Sequence, residues 1–132
     1  MKVVALDYGS ARTGVAVSDP TGTIARPLAV VERAASEAGL ARIAELVRAQ
    51  DAERVVVGLH LTLRGQRGAQ AQETEAFVEA LRQAVEVPVE SYDERFTTSL
   101  AASTGSDEAP EDARAAAHLL SSYLEWSSAA RG

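Results

Sequence analysis

Cysteine is absent from this 132-residue sequence. That excludes disulfides, thiolate metal sites and a cysteine nucleophile, and it fits a reducing compartment. Lysine is nearly absent as well: Lys2 stands alone, and the rest of the 13 basic residues are arginine. Arginine suits bidentate phosphate contacts, although a bias in genome composition accounts for the pattern equally well. Long apolar runs are missing. Only Val3 to Leu6 precede Asp7, fewer residues than the apolar stretch of a signal peptide. Val55 to Val57, extended by Leu59, is the longest strand-like run, far short of the ~20 residues of a membrane span. An excess of basic charge is lacking too, since the net charge is −6. This weighs against a broadly basic surface for nucleic acid. It leaves open a local basic patch, and carboxylates engaged with metal.

What is present is material for one core. The length suits a single domain over residues 1–132, and 46% of the residues are hydrophobic. Apolar runs predict strands at Val3–Asp7, Thr13–Ser18, Ala25–Val31, Arg54–Leu59 and Val87–Tyr92. The first two form a hairpin through Tyr8-Gly9-Ser10. Helical spacing of Leu40, Ile43, Ala44 and Val47 predicts a helix over Ser36–Gln50. Phe77, Val78 and Leu81 do the same for Ala71–Ala84. A short helix is expected over Thr97–Ala102, and a last one from Pro110, which suits a first turn, to about Trp126. A meander followed by strands joined through helices predicts an α/β fold with a mixed sheet and helices on its faces.

Four clusters carry candidate chemistry. Asp7 ends a strand beside Gly9, Arg12 and Gly14. A carboxylate at a strand tip is rigidly held and reaches solvent, as a metal ligand must, and Gly9 permits close approach of backbone or phosphate. A turn-capping aspartate reads the same way. The second cluster is Asp93-Glu94-Arg95 with Thr97 and Thr98. Acids at a strand end, then hydroxyls opening a helix, suit a cation and a phosphate together, or merely a turn and a helix cap. In the third, Asp112, Ala116, Leu119 and Tyr123 share one stripe of the last helix, with Glu111 off it. An acid there either complements the helix dipole or, on a buried edge, calls for a cationic partner. The fourth is the loop His60–Gly68, where Arg64 and Arg67 between glycines suit phosphate contact or simply solvation.

Taken in order, the Asp7–Asp19 stretch, the Val56–Gly68 strand and loop, Asp93-Glu94-Arg95 with Thr97-Thr98, and the Asp112–Tyr123 helix resemble the YqgF/RuvX family of Holliday junction resolvases and pre-16S rRNA nucleases. The resemblance covers nearly the whole chain. It implies an RNase H-like fold, a cytoplasmic protein, and work in 5′-end maturation of 16S rRNA or on branched DNA. By motif position it marks Asp7, the Asp93-Glu94 pair and Asp112 as the acidic site. One departure concerns substrate: the family loop reads Gly-Leu-Pro-Leu-Asn-Met-Asp-Gly, whereas here it is Gly58-Leu59-His60-Leu61-Thr62-Leu63-Arg64-Gly65.

Carboxylates on three elements suit one or two Mg²⁺ or Mn²⁺ ions at a nucleic-acid phosphate, with Arg12 and Arg95 as phosphate holders. The expected ligands are Asp7, Glu94 and Asp112. Glu94 is preferred to Asp93 because the expected fold sets the Arg54–Leu59 strand between the other two. The second acid then reaches across two strand spacings, roughly 10 Å, and the longer side chain covers that gap better. No membrane partner is expected, and the chain is read as a monomer or weak homodimer. Two rivals stand beside this reading. One is a non-catalytic RNA-binding domain of the same fold. The other is an ATP-binding module with an Asp-x-Gly phosphate loop, which needs two such domains where this chain has one.

Overall fold

The computed structural model describes residues 1–59, 69–93 and 109–131, with side chains described at 1–59, 70–93 and 109–127. Its elements run β1 (Val3–Asp7), β2 (Arg12–Ser18), β3 (Ala25–Glu32), α1 (Glu37–Ala49), β4 (Arg54–Leu59), α2 (Ala69–Ala84), β5 (Val89–Asp93) and α3 (Glu111–Arg131). The five strands form one sheet in the order β3-β2-β1-β4-β5. The β1–β2 and β2–β3 pairs are antiparallel. The β1–β4 and β4–β5 pairs are parallel. The mixed sheet is therefore as expected, with β4 between β1 and β5. The short helix expected over Thr97–Ala102 lies outside the described residues.

Alternation along β1 explains why both faces of the sheet are covered. Val4, Leu6 and Tyr8 enter a core cluster with Ile43 and Val47 of α1 and Phe77, Val78 and Leu81 of α2. Val3 and Ala5 point the other way, into a second cluster with Ala116, Leu119, Leu120 and Tyr123 of α3. A period of two in the strand and 3.6 in the helices makes this two-sided core possible.

Local chemistry sets the ends of the elements. Ser36 caps α1, its hydroxyl accepting from the Gly39 amide at 3.0 Å. Glu37 in the first turn and Arg48 in the last complement the helix dipole. β5 starts two residues later than the apolar pattern predicts. Pro88 has no amide to donate, and its carbonyl instead accepts from Val55 at 2.9 Å. Pro110 precedes α3, and its carbonyl takes the first helical bond from the Arg114 amide. α3 continues past Trp126 to Arg131.

The middle of α3 is tied to the sheet by polar contacts. Tyr123 accepts from Arg54 at 2.8 Å, and Tyr92 and Ser122 share a hydrogen bond of 2.9 Å. Burial, followed by the Glu90 carboxylate, raises the Tyr123 phenol above its ordinary value. No helix among the described residues is long and apolar enough to cross a membrane.

Candidate metal and nucleic-acid site

Because β1, β4 and β5 are parallel, their C-terminal ends open on one edge of the sheet, the usual place for ligands in α/β folds. Asp7 ends β1 there and is half-buried. By alternation it shares the α3-side face with Val3 and Ala5. Its cross-strand partner on β2 is Gly14.

Gly14 is what lets the third cluster approach. A Cβ built on this residue would overlap the carbonyl oxygen of Asp112 and crowd the Ala113 amide. The first turn of α3 therefore lies directly on β2, one strand away from Asp7. Asp112 is half-exposed and Glu111 exposed, while Ala116, Leu119 and Tyr123 are buried along the predicted stripe. Asp112 pairs with Arg12, whose Nε lies 3.3 Å from Oδ2. The sequence pattern assigns Arg12 to phosphate, and in this structure its partner is a candidate metal acid. Both side chains reach solvent, so the pair adds little stability.

Gly9 has a tight neighbour within the chain. A Cβ there would stand 2.5 Å from the Arg12 carbonyl oxygen, and Thr13 bonds both the Gly9 amide and its carbonyl at 3.3 Å. The turn that carries Arg12 thus requires glycine at its base. Around it opens a cleft of about 700 Å³ lined by Gly9, Ser10, Ala11, Arg12, Gln70, Glu73 and Asp112.

Asp93 falls on the other side. Tyr92 belongs to the α3-side cluster and Val89 to the opposite one, so alternation gives Asp93 the α2 face. Asp93 also has an interaction partner. Glu94, Arg95, Thr97 and Thr98 lie outside the described residues, as do Arg64 and Arg67. Among the described residues, no group of three or more His, Cys, Asp or Glu side chains is placed to hold a metal. Two carboxylates, Asp7 and Asp112, come to this edge. Their hard oxygen donors fit Mg²⁺ or Mn²⁺ better than a soft metal.

Sequence reasoning missed the α2 wall of the cleft. Tyr8 is buried and stacks on Phe77 with ring centroids 4.4 Å apart. Burial, followed by the Glu73 carboxylate, raises its phenol above the ordinary value. The signal was available: Glu73 precedes Phe77 by one turn, so an acid opens the apolar stripe of α2 as Asp112 opens that of α3. Asp19 is a turn acid. It accepts from the Thr23 and Ile24 amides at 2.8 and 2.9 Å and from the Thr21 hydroxyl, and these bonds hold it far below the ordinary carboxylate range.

A mixed sheet with helices on both faces and carboxylates at its C-terminal edge defines an RNase H-like α/β domain. The chain belongs to the RuvX family, described as Holliday junction resolvase, whose model matches residues 1–126. A relative from Chloroflexus aurantiacus named "Putative pre-16S rRNA nuclease" is 39% identical over 93% of this chain and 86% of its own length. Among solved structures, T. thermophilus RuvC in complex with Holliday junction substrate superposes with a TM-score of 0.66 at 19% identity, covering 97% of this chain and 95% of that one. The fowlpox virus Holliday junction resolvase gives 0.53 at 14% identity, over 96% and 99%. At such identities these two structures establish the shared fold.

Proposed function

We propose that this chain is a divalent-metal-dependent nuclease. It hydrolyses phosphodiester bonds of structured nucleic acid, in 5′-end processing of pre-16S rRNA or in resolution of Holliday junctions. The observation that carries the reading is the seating of α3 on Gly14, which brings Asp112 to the strand end that bears Asp7. The names of the family and of its relatives support the same activity.

Asp7 and Asp112 are the proposed ligands of Mg²⁺ or Mn²⁺, and Glu94 completes the set. Alternation along β5 supports Glu94 over Asp93, because Asp93 takes the face opposite to Asp7. A divalent ion at these acids supplies water activation and stabilisation of the leaving oxygen in an in-line displacement. Arg12 exchanges its contact with Asp112 for the substrate phosphate, a bidentate partner better matched to guanidinium. Gly9 keeps the cleft floor low. Arg64, Arg67, Arg95, Thr97 and Thr98 are the proposed further phosphate contacts. The chain works in the cytoplasm as a monomer or weak homodimer.

The test is cleavage of a structured RNA and of a four-way DNA junction in Mg²⁺, in Mn²⁺ and in excess chelator. Cutting of at least one substrate with either metal, and none in chelator, is expected. Cutting that persists in chelator overturns the metal mechanism, and no cutting of either substrate overturns the nuclease assignment.

A further inference from the structure

One residue at the site edge holds a backbone conformation that its side chain disfavours. Arg33 follows β3, and β3 runs parallel to β1 because each is antiparallel to β2. Both strands therefore end on the same edge of the sheet. Arg33 lies in the left-handed region at φ 48°, which residues other than glycine and asparagine rarely adopt. Its surroundings fix it there. The Arg33 amide donates to the Ala11 carbonyl at 3.0 Å. The Arg33 carbonyl accepts from the Ser36 amide at 2.9 Å and from the Ser36 hydroxyl at 2.6 Å. A Cβ at Gly39 would overlap that carbonyl, so the first turn of α1 lies tight against the loop as well.

Among the described residues one other non-glycine residue has a positive φ, Asp51 at 53°. It follows the end of α1, where a left-handed residue is ordinary. Arg33 follows a strand and has no such reason. Its side chain is exposed and makes no ion pair or hydrogen bond among the described residues, so the strain brings the fold nothing in return. Ala11, which its amide bonds, lines the cleft with Arg12 and Asp112. The described lining sets two acids, Glu73 and Asp112, against one cation, Arg12, and Arg12 is already paired with Asp112. A phosphodiester strand entering this cleft needs a further cation beside it.

We infer that Arg33 is a substrate-binding residue that contacts a backbone phosphate at the rim of the cleft, an inference that rests on the nuclease reading above. A phosphate contact positions the strand without reading its bases, so Arg33 serves RNA and DNA alike.

The experiment measures binding of the structured RNA and the four-way DNA junction over a series of salt concentrations, with Ca²⁺ replacing Mg²⁺, beside a melting curve for each variant. Arg33→Gly relieves the backbone and removes the charge. It should melt at the wild-type temperature or higher, yet bind about three- to tenfold more weakly, with a salt slope lower by roughly 0.7–0.9, the share of one phosphate. Arg33→Lys should keep the wild-type slope. Arg48→Ala, in the last turn of α1 at the opposite edge, should keep it too. An unchanged slope in Arg33→Gly overturns the inference. So does a lower melting temperature in Arg33→Gly, which marks a structural role, or a slope lowered as much by Arg33→Lys or Arg48→Ala. Failure of the wild-type chain to bind either nucleic acid overturns the nuclease reading and this inference with it.

Discussion

Each acid in this chain reads differently once its neighbours are known. Asp7 sits at the site edge, opposite Gly14 and on the face that α3 covers. Asp7→Asn keeps the size of the side chain and removes the charge that binds metal. It is expected to lower cleavage at least about a hundredfold, the scale of losing one charge-stabilising group, with the melting temperature unchanged or slightly higher. Steady-state cleavage and a melting curve on the same sample check both halves of this expectation. Asp19 behaves oppositely, as an acid of the fold. Its folded pKa is lowered, so its contribution to stability is present above the ordinary carboxylate range and is lost as pH falls through that range and below. Urea unfolding of Asp19→Ala should show it less stable than wild type at pH 7, with the gap narrowing toward pH 3. A gap that stays constant with pH would mean that the carboxylate charge is not what holds the turn.

The elements act by fixing those residues against one another. α3 is pinned at its middle by Tyr123 with Arg54 and by Tyr92 with Ser122. At its near end it rests on Gly14. Gly14→Ala forces the first turn of α3 away from β2. A cost of about 1–3 kcal/mol, typical of overpacking, is expected in chemical denaturation. Cleavage should fall further than that loss explains, because Asp112 moves with the turn. If Gly14→Ala loses stability yet keeps full activity at a temperature where it is folded, the position of Asp112 is not critical. This level was only partly legible in the sequence. Periodicity alone placed the five strands and the Asp112–Tyr123 stripe, because each pattern is local. The Tyr8–Phe77 and Arg12–Asp112 contacts were not legible, since each joins segments distant in sequence through the tertiary fold. Gly14 was noted as part of a motif, but only α3 lying on it explains why no side chain fits.

For the molecule as a whole, charge is the controlling quantity. A chain of net charge −6 that binds phosphate needs its acids neutralised where the strand enters. Affinity for nucleic acid is therefore expected to fall when the divalent ion is chelated at constant ionic strength. Filter binding or anisotropy with and without chelator measures this, and equal affinity in both would show that the acids do not face the strand. Divalent binding to the folded state should also raise the melting temperature by mass action. The central claim is that Asp7 and Asp112, from β1 and α3, share one metal site, and direct titration of Mn²⁺ tests it best. Wild type should bind Mn²⁺, and Asp7→Asn and Asp112→Asn should each weaken binding by at least about tenfold, since even loss of an outer-sphere partner costs that much. Undiminished Mn²⁺ binding in both folded variants would contradict the shared site.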